Sequence, residues 1–337
     1  MDAVYHTPRL TLRAWTPADA PALKAAVDAN LAHLRAWLPW AEDEPRPIEA
    51  VEATLAQFAR DFAAGTWWGY GLFAREVGTG PNGTGADALL GSVGVHRPRH
   101  PDQLPSVREL GYWLRADVTG RGYMAEAVGT LTAAALAEPG VLAVEIRVDP
   151  RNVASAQVPA RLGFTLREQR VGDRMAADGV PRDTLVWERR GAAARALRPA
   201  TAADVPRLEA IRTAVHENRL SDPGLVGTED YHAAVARGAC WVWEDAGGVQ
   251  GFAAGTPGVE GTEVATLWAL FVDPAAEGRG AGGALLACAT DAFWRVGHRR
   301  LTLTTGSGTR AERVYRAAGW TEVERLPNGE VVFRREL

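Results

Sequence analysis

The stretch "VTGRGYMAEAV" at residues 118–128 returns as "AEGRGAGGALL" at residues 276–286. Each sets Gly-Arg-Gly ahead of an alanine- and leucine-rich run. Two further landmarks recur in the same order. "LTLRAWTPADAPAL" (10–23) matches "RALRPATAADVPRL" (195–208), each a short strand, then Thr-x-x-Asp, then an amphipathic helix. "LGFTLREQ" (162–169) matches "AGWTEVER" (318–325), each following a helix that ends at Gly163 or Gly319. Three matched landmarks in one order mean two copies of one folding unit, a tandem duplication. The small-residue stretch "RRGAAAR" (189–195) has little to bury and reads as the linker, giving domains at 1–190 and 195–337.

Hydrophobic patterning predicts the same element order in each copy: strand, one or two helices, three strands, glycine loop, helix, strand, helix, one or two strands. In the first copy the three strands fall near 67–75, 88–96 and 107–115; in the second, near 239–245, 248–256 and 262–272. The fold class expected is α/β (α+β), with two tandem domains, each a mixed, mostly antiparallel sheet flanked by helices. The first copy is longer. Its extra residues fall in "LAHLRAWLPWAEDEPRP" and in "VGTGPNGTGAD", which reads as a hairpin loop.

With 337 residues, 47% apolar and 23% charged, the composition is that of a globular chain large enough for two cores. A net charge of −4 gives no support to nucleic-acid binding. The opening "MDAVYHTPRLTLRAW" has no basic segment followed by an apolar run, and no stretch is apolar enough for a membrane span, so a cytoplasmic protein is expected. Cys240 and Cys288 read as small buried hydrophobes in a reducing compartment. His96, His100, His216 and His232 form no metal-ligand spacing, and no metal is expected.

A strand running through Gly-x-Gly into a helix leaves backbone N–H groups unpaired at the positive end of the helix dipole, which suits an anion such as a pyrophosphate. A nucleoside-triphosphate loop is excluded, because neither copy ends in Gly-Lys-Ser/Thr. Gly278, Gly280 and Gly283 fit a dinucleotide fingerprint, and Gly120, Gly122 and Ala125 its looser form, with Asp149 further on. That fingerprint belongs in the first strand–helix unit of a domain, whereas these loops follow several strands. A structural turn without a ligand is the remaining alternative.

"VDPAAEGRGAGGALL" (272–286) followed by "AERVYRAAGWTEVE" (311–324) resembles the acyl-CoA-binding core of the GNAT acetyltransferase superfamily. In the first copy, "ELGYWLRADVTGRGYMAEAV" (109–128), "DPRNVASAQVPARLGF" (149–164) and "LRAWLPWA" (34–41) resemble its RimJ/RimL branch, which acetylates protein N-termini and related amines. The resemblance covers nearly the whole chain. It implies acetyl-CoA as cosubstrate and an amine as acceptor. The pyrophosphate would lie on Thr119, Gly120, Arg121, Gly122, Tyr123 and Met124, with Asn152 beside them. In the second copy it would lie on Gly278, Arg279, Gly280, Ala281 and Gly282. Glu277 there sets an acid near the phosphates, and neither copy has the leading Gln or Arg of the family pattern.

Acetyl transfer needs a group to take a proton from the amine and one to return a proton to the leaving thiolate. The resemblance assigns the first role to Glu109. Counting from the loop glycines, its place in the second copy falls to Leu267, leaving Glu263 or water. The family's thiolate acid is a tyrosine seven residues after an asparagine. The first copy keeps Asn152 but has Pro159 in the tyrosine's place, so Ser155 is the hydroxyl expected to act. A capping serine at a helix start is the alternative for Ser155. The second copy has Tyr315 but Gly308 in the asparagine's place; an amphipathic core aromatic is the alternative for Tyr315. Trp37 and Trp40, with Trp67 and Trp68, are expected to wall the acceptor groove. The competing reading is that one or both domains are degenerate and only bind acyl-CoA or a partner.

Overall fold

The computed structural model describes residues 1–75, 87–175, 180–215, 226–258 and 263–336. The expected hairpin loop over 77–87 and His216 fall almost wholly outside them. Backbone contacts gather into two units. One holds Met1–Pro101, Arg108–Glu138 and Val144–Arg189; the other holds Asp102–Val107, Pro139–Ala143 and Arg190–Leu337.

In the first unit the order is β1 (Val4–His6), β2 (Leu10–Ala14), α1 (Ala20–Asp28), α2 (Leu31–Arg35), α3 (Ile48–Ala64), β3 (Trp67–Ala74), β4 (Leu89–His96) and β5 (Val107–Leu114). It continues with α4 (Tyr123–Ala137), β6 (Ala143–Val148), α5 (Val153–Arg161), β7 (Thr165–Met175) and β8 (Pro181–Arg190). The eight-stranded sheet runs β1-β2-β3-β4-β5-β6-β8-β7. Helix α4 buries Met124, Ala127, Val128, Leu131, Thr132 and Ala135. That 3-4 spacing is one face of a helix, laid on the sheet core of Leu12, Tyr70, Val93 and Ile146. Truncating Leu131, which is fully buried, would cost about 2–5 kcal/mol.

The second unit comprises α6 (Ala192–Arg195), β9 (Leu197–Pro199), α7 (Val205–Ala214), α8 (Thr228–Ala236), β10 (Cys240–Asp245), β11 (Gly248–Thr256) and β12 (Val264–Val272). After these come α9 (Ala281–Arg295), β13 (Arg300–Gly306), α10 (Arg310–Ala317), β14 (Thr321–Arg325) and β15 (Glu330–Glu336). Its sheet order, β14-β15-β13-β12-β11-β10-β9, repeats that of the first unit without the outer strand β1. Pairing is antiparallel except where β12 meets β13, so the sheet is mixed as expected. That parallel ladder spans only Val264–Thr266 against Arg300–Thr302. Beyond Thr266 the register ends, and among the described residues the C-terminal half of β12 pairs with no strand on that side.

One difference between the copies was hidden from a fixed residue count. In the first unit β4 and β5 pair without interruption, from Gly91 opposite Leu114 to His96 opposite Glu109. In the second, the ladder of β11 and β12 slips between Ala254 and Gly255: Ala254 faces Ala269, but Gly255 faces Leu267. Trp268 is therefore an extra residue in a β-bulge. Matched through the ladder, Leu267 is the counterpart of Leu110, and both are buried under the loop helix of their unit. Glu109 corresponds to Thr266, not to Leu267.

The Thr-x-x-Asp landmarks close the same hydrogen-bond box twice. Asp19 accepts from the Thr16 amide and Asp204 from the Thr201 amide. Each carboxylate is also clasped by an arginine six residues earlier, Arg13 (2.6 and 2.7 Å) and Arg198 (2.8 and 2.9 Å). The Arg198 guanidinium holds the Asp204 carboxyl well below the usual carboxylate range. A depressed folded-state pKa contributes stability that is full above about pH 4 and is lost as pH falls below it. We predict that Asp204→Asn costs about 1 kcal/mol at pH 7. Urea unfolding should show that cost shrinking as the pH is lowered from 4 toward 2.5; a cost that stays constant would refute the pairing.

Candidate active site

The first unit holds a cavity of about 650 Å³. Six consecutive β5 residues (109–114) and three consecutive β6 residues (146–148) line it. Neighbouring residues of a strand point to opposite faces, so such a cavity opens edge-on between the two strands. Its remaining walls include the glycine loop, helix α5, α2 with the segment after it, Arg99, and Arg174, Met175 and Arg182 from β7 and β8.

At the loop, Gly120 and Gly122 have φ of 75° and 81°, and Gly278 and Gly280 have 76° and 82°. Only glycine adopts this conformation cheaply. No atom lies within 4 Å of where a Cβ would stand on Gly120, Gly278 or Gly280, so the surface in front of these backbones is open. In α4 the first backbone bond runs from the Glu126 amide to the Gly122 carbonyl (3.1 Å); in α9 it runs from Ala284 to Gly280 (3.0 Å). The amides just before them have no acceptor within the helix, and among the described residues none takes them from outside. Both copies therefore present a nest of free donors with room for an anion.

The side chains around the first nest divide. Thr119, Gly120, Gly122 and Met124 line the cavity. Arg121 instead donates to the Asp117 carbonyl (3.1 Å), and the Tyr123 ring lies under the Arg9 guanidinium (4.6 Å). In the second copy Arg279 pairs with Asp245 (2.6 Å), and Ala281 is buried in the core. Gly282 lies against Val272, where a Cβ would meet that side chain at 3.7 Å. Glu277, an apparent obstacle to phosphate, is held by Arg310 at the start of α10.

Glu109 is buried, and its carboxylate meets Arg99 (2.8 Å), His100 (3.5 Å) and Arg147 (3.6 Å). Burial works against its charge, but Arg99, with His100 and Arg147, more than offsets that and holds it below the usual carboxylate range. Across the ladder sits His96, which burial lowers to about 4. It accepts from the Trp67 indole (3.0 Å) and stays neutral.

Asn152 caps α5 by accepting from the Ser155 amide (3.1 Å). Ser155 is thus the capped residue and not the cap, and its hydroxyl is spare. It donates to the Tyr112 hydroxyl (3.3 Å), which in turn donates to the Ser155 carbonyl (3.0 Å). Tyr112, Asn152 and Ser155 all line the cavity. Tyr112 was missed by sequence reasoning, which looked for a hydroxyl only on α5.

Tyr315 departs from expectation. It is 5% exposed and packs against Phe333 (5.9 Å) and Trp320 (6.1 Å), the place of a core aromatic. The tryptophans divide as well. Trp37 lines the cavity; Trp40 is exposed and touches it only through Trp113, 6.3 Å away. Trp67 packs on Phe58 and Trp68 joins the sheet core, so neither walls a groove. Burial pushes the thiols of Cys240 and Cys288 up to about 12 and about 11, which leaves them inert. Among the described residues no His, Cys, Asp and Glu cluster could hold a metal, and no helix is long and apolar enough to cross a membrane.

Comparison with known proteins agrees with this geometry. Residues 9–165 match the family model described as the acetyltransferase (GNAT) domain, and residues 206–320 match that of the acetyltransferase (GNAT) family. A Bacillus subtilis (strain 168) protein that carries the name of a ribosomal N-acetyltransferase, YdaF, is 27% identical over 178 residues, 53% of this chain and 89% of its own. Similar solved structures include the ribosomal L7/L12 acetyltransferase RimL in complex with coenzyme A. It is 21% identical, with a TM-score of 0.48 over 56% of this chain and 98% of its own. The microcin C7 self-immunity acetyltransferase MccE, with acetyl-CoA and AMP, is 18% identical, with a TM-score of 0.46 over 55% and 93%.

Replacing Gly120 or Gly278 by valine places a Cβ in a left-handed backbone at a cost of about 1–2 kcal/mol and into the space before the nest. The strain lowers fold stability, whereas the side chain in the space before the nest obstructs the ligand. Titration calorimetry with coenzyme A should therefore show binding to the altered unit weakened about tenfold or more, a loss of at least about 1.4 kcal/mol. Unchanged binding after both replacements would mean that the nests hold no phosphate.

Proposed function

Because the chain belongs to the GNAT acetyltransferase superfamily and carries two of its domains in tandem, as an acetyl-CoA-dependent N-acetyltransferase, we propose that acetyl transfer to a primary amine takes place in the first domain. The observation that carries this reading is one cavity lined by the free glycine-loop backbone, Ser155 and the Glu109 carboxylate. The acceptor is a protein N-terminus or a small amine, entering past Trp37, and the setting is the cytoplasm. Domains at 1–190 and 195–337 are the working division.

The pyrophosphate of acetyl-CoA rests on the amides that follow Thr119, with Asn152 beside it, which sets the thioester in the opening between β5 and β6. Holding amine and thioester together removes much of the entropic barrier. The amine must arrive neutral to attack. As the C–N bond forms, its nitrogen becomes acidic, and the proton passes toward Glu109, directly or through water. A carboxylate with a depressed pKa is a weak base but is always charged, so it also favours the positive nitrogen of the tetrahedral state. As the C–S bond breaks, Ser155 returns a proton to sulfur.

In the second domain the open nest persists on Gly278, Arg279, Gly280, Ala281 and Gly282, but Thr266 stands in the place of Glu109 and Tyr315 is packed away. We read that domain as binding acyl-CoA without catalysing transfer.

Purified protein given acetyl-CoA and amine acceptors should release free CoA. Glu109→Gln should lower kcat about 10²-fold, within the range for general-base groups. Because Glu109 is already ionised near neutrality, the loss should be even from pH 6 to 9, and the acid limb of the wild-type profile belongs to the amine. A Glu109→Gln enzyme at full rate would remove that assignment. Full activity in a Gly120→Val enzyme, with none in Gly278→Val, would move catalysis to the second domain.

A further inference from the structure

Helix α5 contains Pro159, which has no amide hydrogen. In an unbroken helix, residue 159 would donate to the carbonyl of residue 155. That carbonyl is therefore left without its helical partner, and the Tyr112 hydroxyl takes the vacancy at 3.0 Å. The same phenol oxygen receives the Ser155 hydroxyl at 3.3 Å. A strand residue is thus fastened to the one hydroxyl-bearing turn of α5 by two bonds, at the wall of the cavity where β5 and β6 part.

We propose that Tyr112 is a positioning residue that keeps Ser155 supplied with a proton, replacing in this chain the tyrosine whose place on α5 is occupied by Pro159. This inference rests on acetyl transfer in the first domain. As the tetrahedral state collapses, the C–S bond breaks and its electron pair stays on sulfur. The Ser155 Oγ–H proton moves to sulfur, giving the free thiol. The Tyr112 hydroxyl turns from the Ser155 carbonyl to Oγ and passes its own proton there. Water in the cavity reprotonates the phenolate, and the proton given up by the amine leaves to water by way of Glu109, so the protons balance. Burial raises the Tyr112 phenol to about 12, so it is protonated at every working pH and the relay starts loaded. Only hydroxyl rotations are needed; neither side chain has to leave its place.

The experiment is a double-mutant cycle of Tyr112→Phe and Ser155→Ala in the full-length protein, followed by CoA release with saturating amine. Tyr112→Phe keeps the ring and its packing, and thermal unfolding confirms that the fold is retained. A relay predicts that each change lowers kcat about tenfold with KM for acetyl-CoA within twofold. The double variant should be no slower than the slower single one, and the solvent deuterium isotope effect on kcat should fall in all three. If Tyr112→Phe leaves kcat and the isotope effect at wild-type values, or raises only KM, Tyr112 merely braces α5 and the proposal fails. Losses that multiply in the double variant would mean that the two hydroxyls act separately, which also overturns it. Wild-type protein that binds coenzyme A yet releases none from acetyl-CoA would overturn the transferase reading itself, a result distinct from either.

Discussion

The molecule depends on a place where two neighbouring strands stop bonding to each other. Between β12 and β13 the ladder lasts three residue pairs and ends, and between β5 and β6 a cavity opens edge-on. Leaving backbone donors and acceptors unpaired in the middle of a sheet is costly unless something polar can use them. A thioester with an amide-rich pantetheine arm is such a partner. The first glycine nest lines the same cavity as β5 and β6. It leaves donors free where a longer helix cap would have consumed them.

The charge around Glu109 shows how the rest of the site is tuned. Two arginines and a histidine surround one buried carboxylate, and the neighbouring His96 is kept neutral by burial and accepts the Trp67 indole hydrogen. A carboxylate so placed cannot act by high proton affinity. In the proposed reaction it would act by remaining charged next to a nitrogen that becomes positive, which is a matter of electrostatic preorganisation. Trp67, expected to line the acceptor groove, serves this arrangement from behind.

Much of the fold was legible because its signals are local. Glycine before an apolar helix, Thr-x-x-Asp before another, and strands of alternating or continuous apolar residues each follow from short-range chemistry, and they recur twice. The glycine nests were legible for the same reason. The features that were not legible depend on how separate elements meet in the fold. The Arg13 and Arg198 clasps lie six residues from their carboxylates, but their pairing depends on how the strand enters the helix. Tyr112 and Ser155 are far apart in sequence, and the carbonyl that unites them is exposed only because Pro159 lacks a hydrogen. Counting placed Glu109 opposite Leu267, since an inserted residue in one strand leaves no trace in a count anchored at the loop. Tyr315 matched a family position, but its ring was claimed by Trp320 and Phe333.

The bulge at Trp268 has an evolutionary consequence. A substitution can be undone by another substitution, whereas an extra residue stays in the strand, and the bulge that absorbs it lets Leu267 keep the buried face that Leu110 holds. For the second copy to regain the constellation of the first, it would need a carboxylate at Thr266 together with its cationic neighbours in the same lineage. A carboxylate there without those cations would lack the partners that hold Glu109 charged. The two halves are thus separated by several changes that must be made together, which favours their divergence over a return to equivalence.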